Sequence, residues 1–243
     1  MHDDPLGIRQ DVNGSTLFEL ASVGAFGPAP DTGSWIEKLD EQLEVAFRMF
    51  EDWCAAEGKA CSQPAFRVLN LGMSNKSDWT CLKSKAKNST VVTDWLATLT
   101  PGFVRDEASD VRNECVLAFN NIWKLLEQTK FPNWKLSGDQ ARFLKVNRSM
   151  AILSLHYLSK RCTRFGVYRW RIRPKFHRWD HALRRGVRTR VSPTVFYAFS
   201  SEDFMGLVAR MCSKTHGASI MKRGVERWIL SFFCSFDDSE DEE

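Results

Sequence analysis

Over residues 107–164 the apolar side chains recur at α-helical spacing, and they do so in two successive blocks. Val111, Cys115, Ala118, Phe119, Ile122, Leu125 and Leu126 share one face of a helix predicted over 107–129, and Pro132 closes it. Ser137, followed three residues later by Gln140, has the form of a capping box. It opens the longest periodic run, through Phe143, Val146, Met150, Leu153, Tyr157 and Leu158, expected to end near Arg164 ahead of Gly166. Ser34 caps a third helix, carried by Trp35, Leu39, Leu43, Ala46, Phe47, Phe50 and Trp53 and stopped at Gly58. Residues 91–99 form a fourth, closed by Pro101 and Gly102. Amphipathic helices on this scale must bury their apolar stripes against one another, so the fold class is mainly α.

Little else in the chain reads as regular sheet. Residues 66–71 alternate apolar and polar side chains before Gly72, which suits a short strand or an extended connector, and 195–199 is a second strand candidate. A helix carrying Phe204, Leu207, Val208 and Met211 is expected after Ser200 or Ser201, and a last one over 219–233. Residues 1–34 are rich in Gly and Pro and read as an irregular entry segment with a short helix near 17–21. The expected organisation is that irregular segment, a mainly helical domain over 35–235 with two or three short strands, and an acidic disordered tail over 236–243.

At 243 residues and 43% hydrophobic content the chain can fill one large core or two small ones. It holds no apolar stretch of about 18 residues, the minimum for crossing a bilayer, and no leader of charged, then apolar, then small residues. A soluble, intracellular protein without a membrane partner is expected. Seven cysteines at 54, 61, 81, 115, 162, 212 and 234 are scattered, with no Cys-x-x-Cys pair. They are expected to be reduced and apolar in role; Cys212 and His216, four apart, have no further ligands nearby.

The formal net charge is only +4, yet between Lys160 and Arg190 twelve Lys or Arg residues stand against the single acid Asp180. Cations held together in this way displace counterions from phosphates and bind nucleic acid. Arg169, Trp170, Arg171, Arg173, Lys175, Phe176, Arg178 and Trp179, with Arg184 and Arg185 beyond, also interleave cations with rings, the composition of a groove that holds a strand by charge and base stacking. A second account stays open. The arginine stems can lie over apolar surface while their heads pair with the acids of residues 37–52, with the acidic tail, or with an acidic protein partner.

Two smaller constellations bear on chemistry. His177 and His181, four apart with Asp180 between them, would share a helix face and could hold a metal, or could hydrogen-bond a carboxylate and stabilise the fold. Glu202 and Asp203 stand at the start of an expected helix, where acids satisfy orphan amides. A carboxylate at a strand-to-helix junction is also where two-metal phosphoryl transfer needs a ligand.

In order along the chain, several phrases resemble those of DDE-type transposases with an RNase H-like fold, in the eukaryotic cut-and-paste group that includes Plavaka, KDZ and CACTA-like elements. Leu82-Lys83-Ser84-Lys85-Ala86 is similar to the "LKxxE" opening of their helical insertion, and the helices of 107–164 stand in the insertion's place. The phrase from Arg173 through Pro174, Lys175, Phe176, His177, Arg178, Trp179 and Asp180 to His181 resembles "KPKxHxxxH", and Phe199 to Gly206 resembles the segment around the last catalytic acid. The resemblance implies Glu202 as final acid with Asp203 beside it, and Asp11, in Asp11-Val12-Asn13-Gly14, as second acid of a "DxxH" phrase whose histidine is here Gly14. Glu202, His177 and His181 are its candidate metal ligands, and Mg2+ or Mn2+ would serve an active site.

Only ten residues precede Asp11, so the first acid, the RNase H-like strands before it and any DNA-recognition domain are expected to be missing. The expectation is a transposase-derived DNA- or RNA-binding protein, nuclear in a eukaryotic cell, that is catalytically silent alone and needs no cofactor. The alternative is a helical interaction module whose basic face meets an acidic partner.

Overall fold

The computed structural model describes residues 7–130 and 133–196. The chain divides into two contact units, Met1–Val195 and Phe196–Glu243, and the described residues up to Val195 lie in the first. Six α-helices occur among the described residues: α1 (Arg9–Ser22), α2 (Trp35–Ala56), α3 (Ala86–Leu99), α4 (Glu107–Gln128), α5 (Gly138–Arg164) and α6 (Pro174–Thr189). No strand is among them. The nearest approach to sheet is one isolated antiparallel bridge between Lys135 and Val191, which ties the end of α6 to the α4–α5 connection.

The caps explain the boundaries. Ser34 and Glu37 form a reciprocal capping box on α2, Asp106 and Ser109 one on α4, and Ser137 and Gln140 the expected one on α5. α6 starts at Pro174. Proline's fixed φ and missing N–H suit the first helical position, and Arg173 before it is extended, with φ −100° and ψ 160°. The helix ends with Arg190 in the left-handed conformation, φ 54°.

Within the segment expected to be irregular, α1 extends the short helix expected near 17–21 to Arg9–Ser22, while residues 23–34 are turns and loop, and α1 is the central element. It contacts α2, α3 and α4, and Arg9, Asp11, Val12, Asn13, Gly14, Ser15, Thr16, Leu17, Leu20 and Ala21 are all buried. Its polar groups are therefore paired inside the protein, since an unpaired buried polar group costs about 1–3 kcal/mol. Asn13 donates to the Ser89 carbonyl at 2.9 Å and accepts from Thr93 Oγ1 at 2.8 Å. Ser15 shares a hydrogen bond with Thr80 at 2.8 Å, and the Arg9 guanidinium donates to the Phe119 carbonyl at 3.2 Å. Gly14 lets the backbone of the segment before α3 lie directly on the helix. The Leu82 amide donates to the Gln10 carbonyl at 2.9 Å, and a Cβ at Gly14 would stand 2.8 Å from the Leu82 nitrogen.

Two aromatic clusters fill the remaining core. Phe47, Phe50, Phe66 and Trp95 pack where α2 meets α3, with ring centroids 5.2–5.9 Å apart in their contacts with Phe66. Trp179 of α6 stacks between Phe119 of α4 at 5.1 Å and Phe176 at 5.6 Å. Residues 66–71 are not a strand but lead into a turn over 68–72: the Leu71 amide donates to the Arg67 carbonyl, and the Val68 amide donates to Asp40 Oδ1 of α2 at 2.6 Å, so a turn bond and a helix side chain satisfy this backbone. Of the 195–199 strand candidate, the described part belongs to a 3-10 turn, Pro193–Phe196. The helices expected after residue 200 and the acidic tail lie outside the described residues.

Gly14→Ala should destabilise the protein by about 1–3 kcal/mol, because its methyl meets backbone that cannot rotate away. Gly138→Ala, where a Cβ meets nothing within 4 Å, should be neutral or stabilising by up to about 1 kcal/mol. Denaturant unfolding of the two variants measures the contrast.

Candidate nucleic-acid interface

The basic run divides into an inner half that holds the fold and an outer half that faces solvent. Residues 168–173 cross α1. Trp170 is completely buried at φ 57°, in the left-handed region that a bulky side chain avoids. Its amide donates to Ser15 Oγ at 2.9 Å and its indole Nε1 to Glu19 at 2.5 Å, contacts that offset the strain. Arg169 is 1% exposed. Its guanidinium donates to the carbonyls of Asp78 and Lys76, both at 2.5 Å, and lies 3.9 Å over the Phe18 ring. Arg169 and Trp170, both expected to meet nucleic acid, are thus buried supports of α1. Phe176 and Trp179 are buried as well, so the rings interleaved with these cations are core, not a stacking platform.

Arg173 and Asp11, expected on opposite sides of a DNA–catalyst pairing, bind each other. Nε and Nη2 of Arg173 each reach a separate Asp11 oxygen at 2.6 Å, a two-pronged pair. Asp11 is fully buried, and burial pushes its carboxyl above the usual range, with Arg173 pulling the other way. In this arrangement both Asp11 oxygens face the Arg173 guanidinium rather than solvent. Glu202 and Asp203 lie outside the described residues.

α6 carries the outer half. Phe176, Trp179, Asp180, Leu183 and Gly186 form its buried face. Asp180, the run's one acid, is turned inward, where it meets Arg148 of α5 and, at 3.0 Å, Arg184 one turn along. His177, Arg178, His181, Arg184, Arg185 and Arg188 are exposed on the other side. Arg171 is also exposed, 5.8 Å over the Trp79 ring, while Lys175 is half-buried. Fifteen angstroms of helix from Arg178 to Arg188, at about 1.5 Å per residue, therefore show solvent several cations and no carboxylate.

His177 and His181 do share a face. Their Nε2 atoms are 3.0 Å apart, one ring donating to the other. They supply two ligands, and among the described residues no group of three His, Cys, Asp or Glu side chains is placed to hold a metal ion. The five described cysteines are free thiols, and burial pushes those of Cys54, Cys81 and Cys162 up to about 11. They are poor nucleophiles and metal ligands at neutral pH.

The residues not anticipated are the buried Arg112 and, in α1, the partly exposed Glu19. Arg112 is 2% exposed, donates to the Phe103 carbonyl at 2.9 Å and faces Glu19 at 3.8 Å. Burial raises the Glu19 carboxyl above its ordinary 4.5, against the Trp170 hydrogen bond and the fields of Arg112 and Arg169. Helical spacing of Ile8, Val12 and Leu20 was the available signal for α1, but no local pattern announces partners more than 90 residues away.

Compared with protein-family models, with curated proteins and with solved structures, the chain finds no match. No helix among the described residues is long and apolar enough to cross a membrane.

Two outcomes are expected. Arg173→Met should cost about 3 kcal/mol, the low end for stranding one partner of a buried pair because Arg173 keeps 28% exposure. Adding Asp11→Leu should recover part of that loss in denaturant unfolding. For Glu19, a folded-state value above 4.5 means that the native protein binds more protons than the unfolded chain in that window, so its contribution falls as pH rises from 4.5 upward. Glu19→Gln keeps an acceptor for Trp170, and unfolding curves at successive pH values should show it gaining on the wild type as pH rises.

Proposed function

We propose that this protein binds nucleic acid through the outward face of α6 and is not a nuclease by itself. The observation that carries the proposal is the sorting of charge on that helix: its acid pairs with Arg148 on the inner side and with the exposed Arg184 at the edge, while Arg178, Arg185 and Arg188 are exposed on the outer side. Duplex DNA carries about one charge per 1.7 Å of its axis, so a face of this length meets several phosphates at once. With the neighbouring rings buried, the contact is to backbone phosphates of DNA or RNA rather than to stacked bases. Rigid presentation helps, because Phe176 and Trp179 anchor the helix from beneath.

Descent from a cut-and-paste transposase belongs to the same proposal. It is supported by the order of the resembling phrases, whereas an RNase H-like sheet has no strand among the described residues to support it. Asp11 held by Arg173 favours a silent descendant over an active one, with a nuclear location in a eukaryotic cell. Nothing in this reading requires a cofactor.

The test is a salt titration of binding to a random-sequence duplex. Log affinity should fall linearly with log salt, and Arg185→Gln with Arg188→Gln should reduce the slope by about 2 with far-UV circular dichroism unchanged. Arg169 and Arg173 do not serve this test, because both hold the fold. Affinity indifferent to both salt and substitution would overturn the proposal. Equal binding of polyglutamate instead of duplex would point to an acidic protein partner on this face.

A further inference from the structure

We infer that the solvent side of α5 is a docking surface for an acidic amphipathic helix of another protein. Phe143, Val146 and Leu153 are 44%, 60% and 70% exposed, and Met150 and Tyr157 between and beyond them are half-buried. Singly exposed apolar residues are ordinary. These five instead follow one another at intervals of three, four, three and four residues, the repeat of a coiled-coil seam. They form one line down the helix, about 21 Å long at 1.5 Å per residue. The protein's own core takes a different face of α5, through Ala141, Leu144, Ala151, Leu155 and Leu158.

The spacing selects a helix as occupant, because knobs at three-and-four intervals fit the holes of another helix and not a strand. Charge then selects its composition. α5 carries one acid, Asp139, against Arg142, Lys145, Arg148, Lys160, Arg161 and Arg164. Arg148 turns inward to Asp180, but Arg142, Lys145 and Lys160 are exposed, and Arg164 ends the helix in solvent. A second copy of α5 laid on the seam in either direction would bring cation against cation. A helix with leucines at the same spacing and glutamates along their flanks meets the apolar line and the cations together. This inference rests on α5 alone and is independent of what α6 binds.

The probe is a synthetic peptide of about three heptads, with Leu at the seam positions and Glu beside them, titrated by fluorescence anisotropy into the full chain. A second peptide has Lys in place of every Glu. The Glu peptide should bind saturably, the Lys peptide should not, and Val146→Ser with Leu153→Ser should weaken binding at least about tenfold. Both side chains are more than half exposed, so that variant should keep the wild-type melting midpoint and circular dichroism. Arg185→Gln with Arg188→Gln should leave peptide affinity unchanged, which separates this surface from the α6 face. The inference is overturned by equal binding of the two peptides, by undiminished binding to the serine variant, or by a dimer in sedimentation that the serine pair dissociates.

Discussion

Burying a helix as polar as α1 is the constraint from which the rest of the architecture follows. Asp11, Asn13, Ser15 and Arg9 lose water on folding, and each must find a partner inside. The nearest in sequence that could serve are far away: Ser89 and Thr93 in α3, Phe119 in α4, and Trp170 and Arg173 in the segment before α6. Meeting them draws three parts of the chain onto one helix. The Asp11–Arg173 pair is the most exacting of these contacts, because a buried ion left single is far costlier than a buried pair. Such a pair adds little net stability over a well-packed apolar substitute. Its effect falls on register, since in this placement residues 168–173 satisfy Asp11, Ser15 and Glu19 together.

That register also decides where α6 points. Pro174 follows Arg173 immediately and begins the helix, so the anchoring of one arginine fixes the origin and starting direction of the next sixteen residues. Phe176 and Trp179 then set the rotation by stacking under the helix against Phe119. The remaining cations are exposed because the inward positions are already filled. A run that looks uniform in sequence is therefore two different things: arginines that complete the interior and arginines displayed by it. The sequence phrase from Arg173 to His181 acquires a physical account on these terms. Pro174 starts a helix, Phe176 and Trp179 bury, Asp180 pairs with Arg148 and Arg184, and the two histidines hydrogen-bond each other on the surface.

What was legible in the sequence was what depends on neighbours in sequence. Ser34 with Glu37 and Ser137 with Gln140 act within one turn, so α2 and α5 could be bounded, and the apolar stripe of α4 marks the face it buries. α1 was obscured because polar residues interrupt its apolar spacing, and the reason they can be buried lies 65 to 162 positions away. The same distance hid the pairing of Asp11 with Arg173. α5 failed in an instructive way. Its conspicuous periodicity located the helix correctly, yet Phe143, Val146 and Leu153 belong to the solvent side, and its buried face is carried by smaller and more polar residues such as Ala151 and Ser154.

A helix whose best apolar stripe faces outward needs a reason, and the adjacent charge narrows it. α5 and α6 pack together, and between Arg142 and Arg190 the one carboxylate is Asp180, turned to the interior. The net charge of +4 thus understates the field on these two helices, because the compensating acids lie elsewhere in the sequence. Over distances within about 8 Å, the screening length in physiological salt, an approaching ligand responds to the local cations and not to the total. Polyphosphate and an acidic helix are both drawn by that field, and short-range contact must discriminate between them. Phosphate gains nothing from Val146 and Leu153, while a leucine seam gains nothing from Arg185 and Arg188. Charge alone would leave two such ligands interchangeable; if both proposals hold, the apolar line on α5 and its absence from the outer face of α6 would direct each to its own surface.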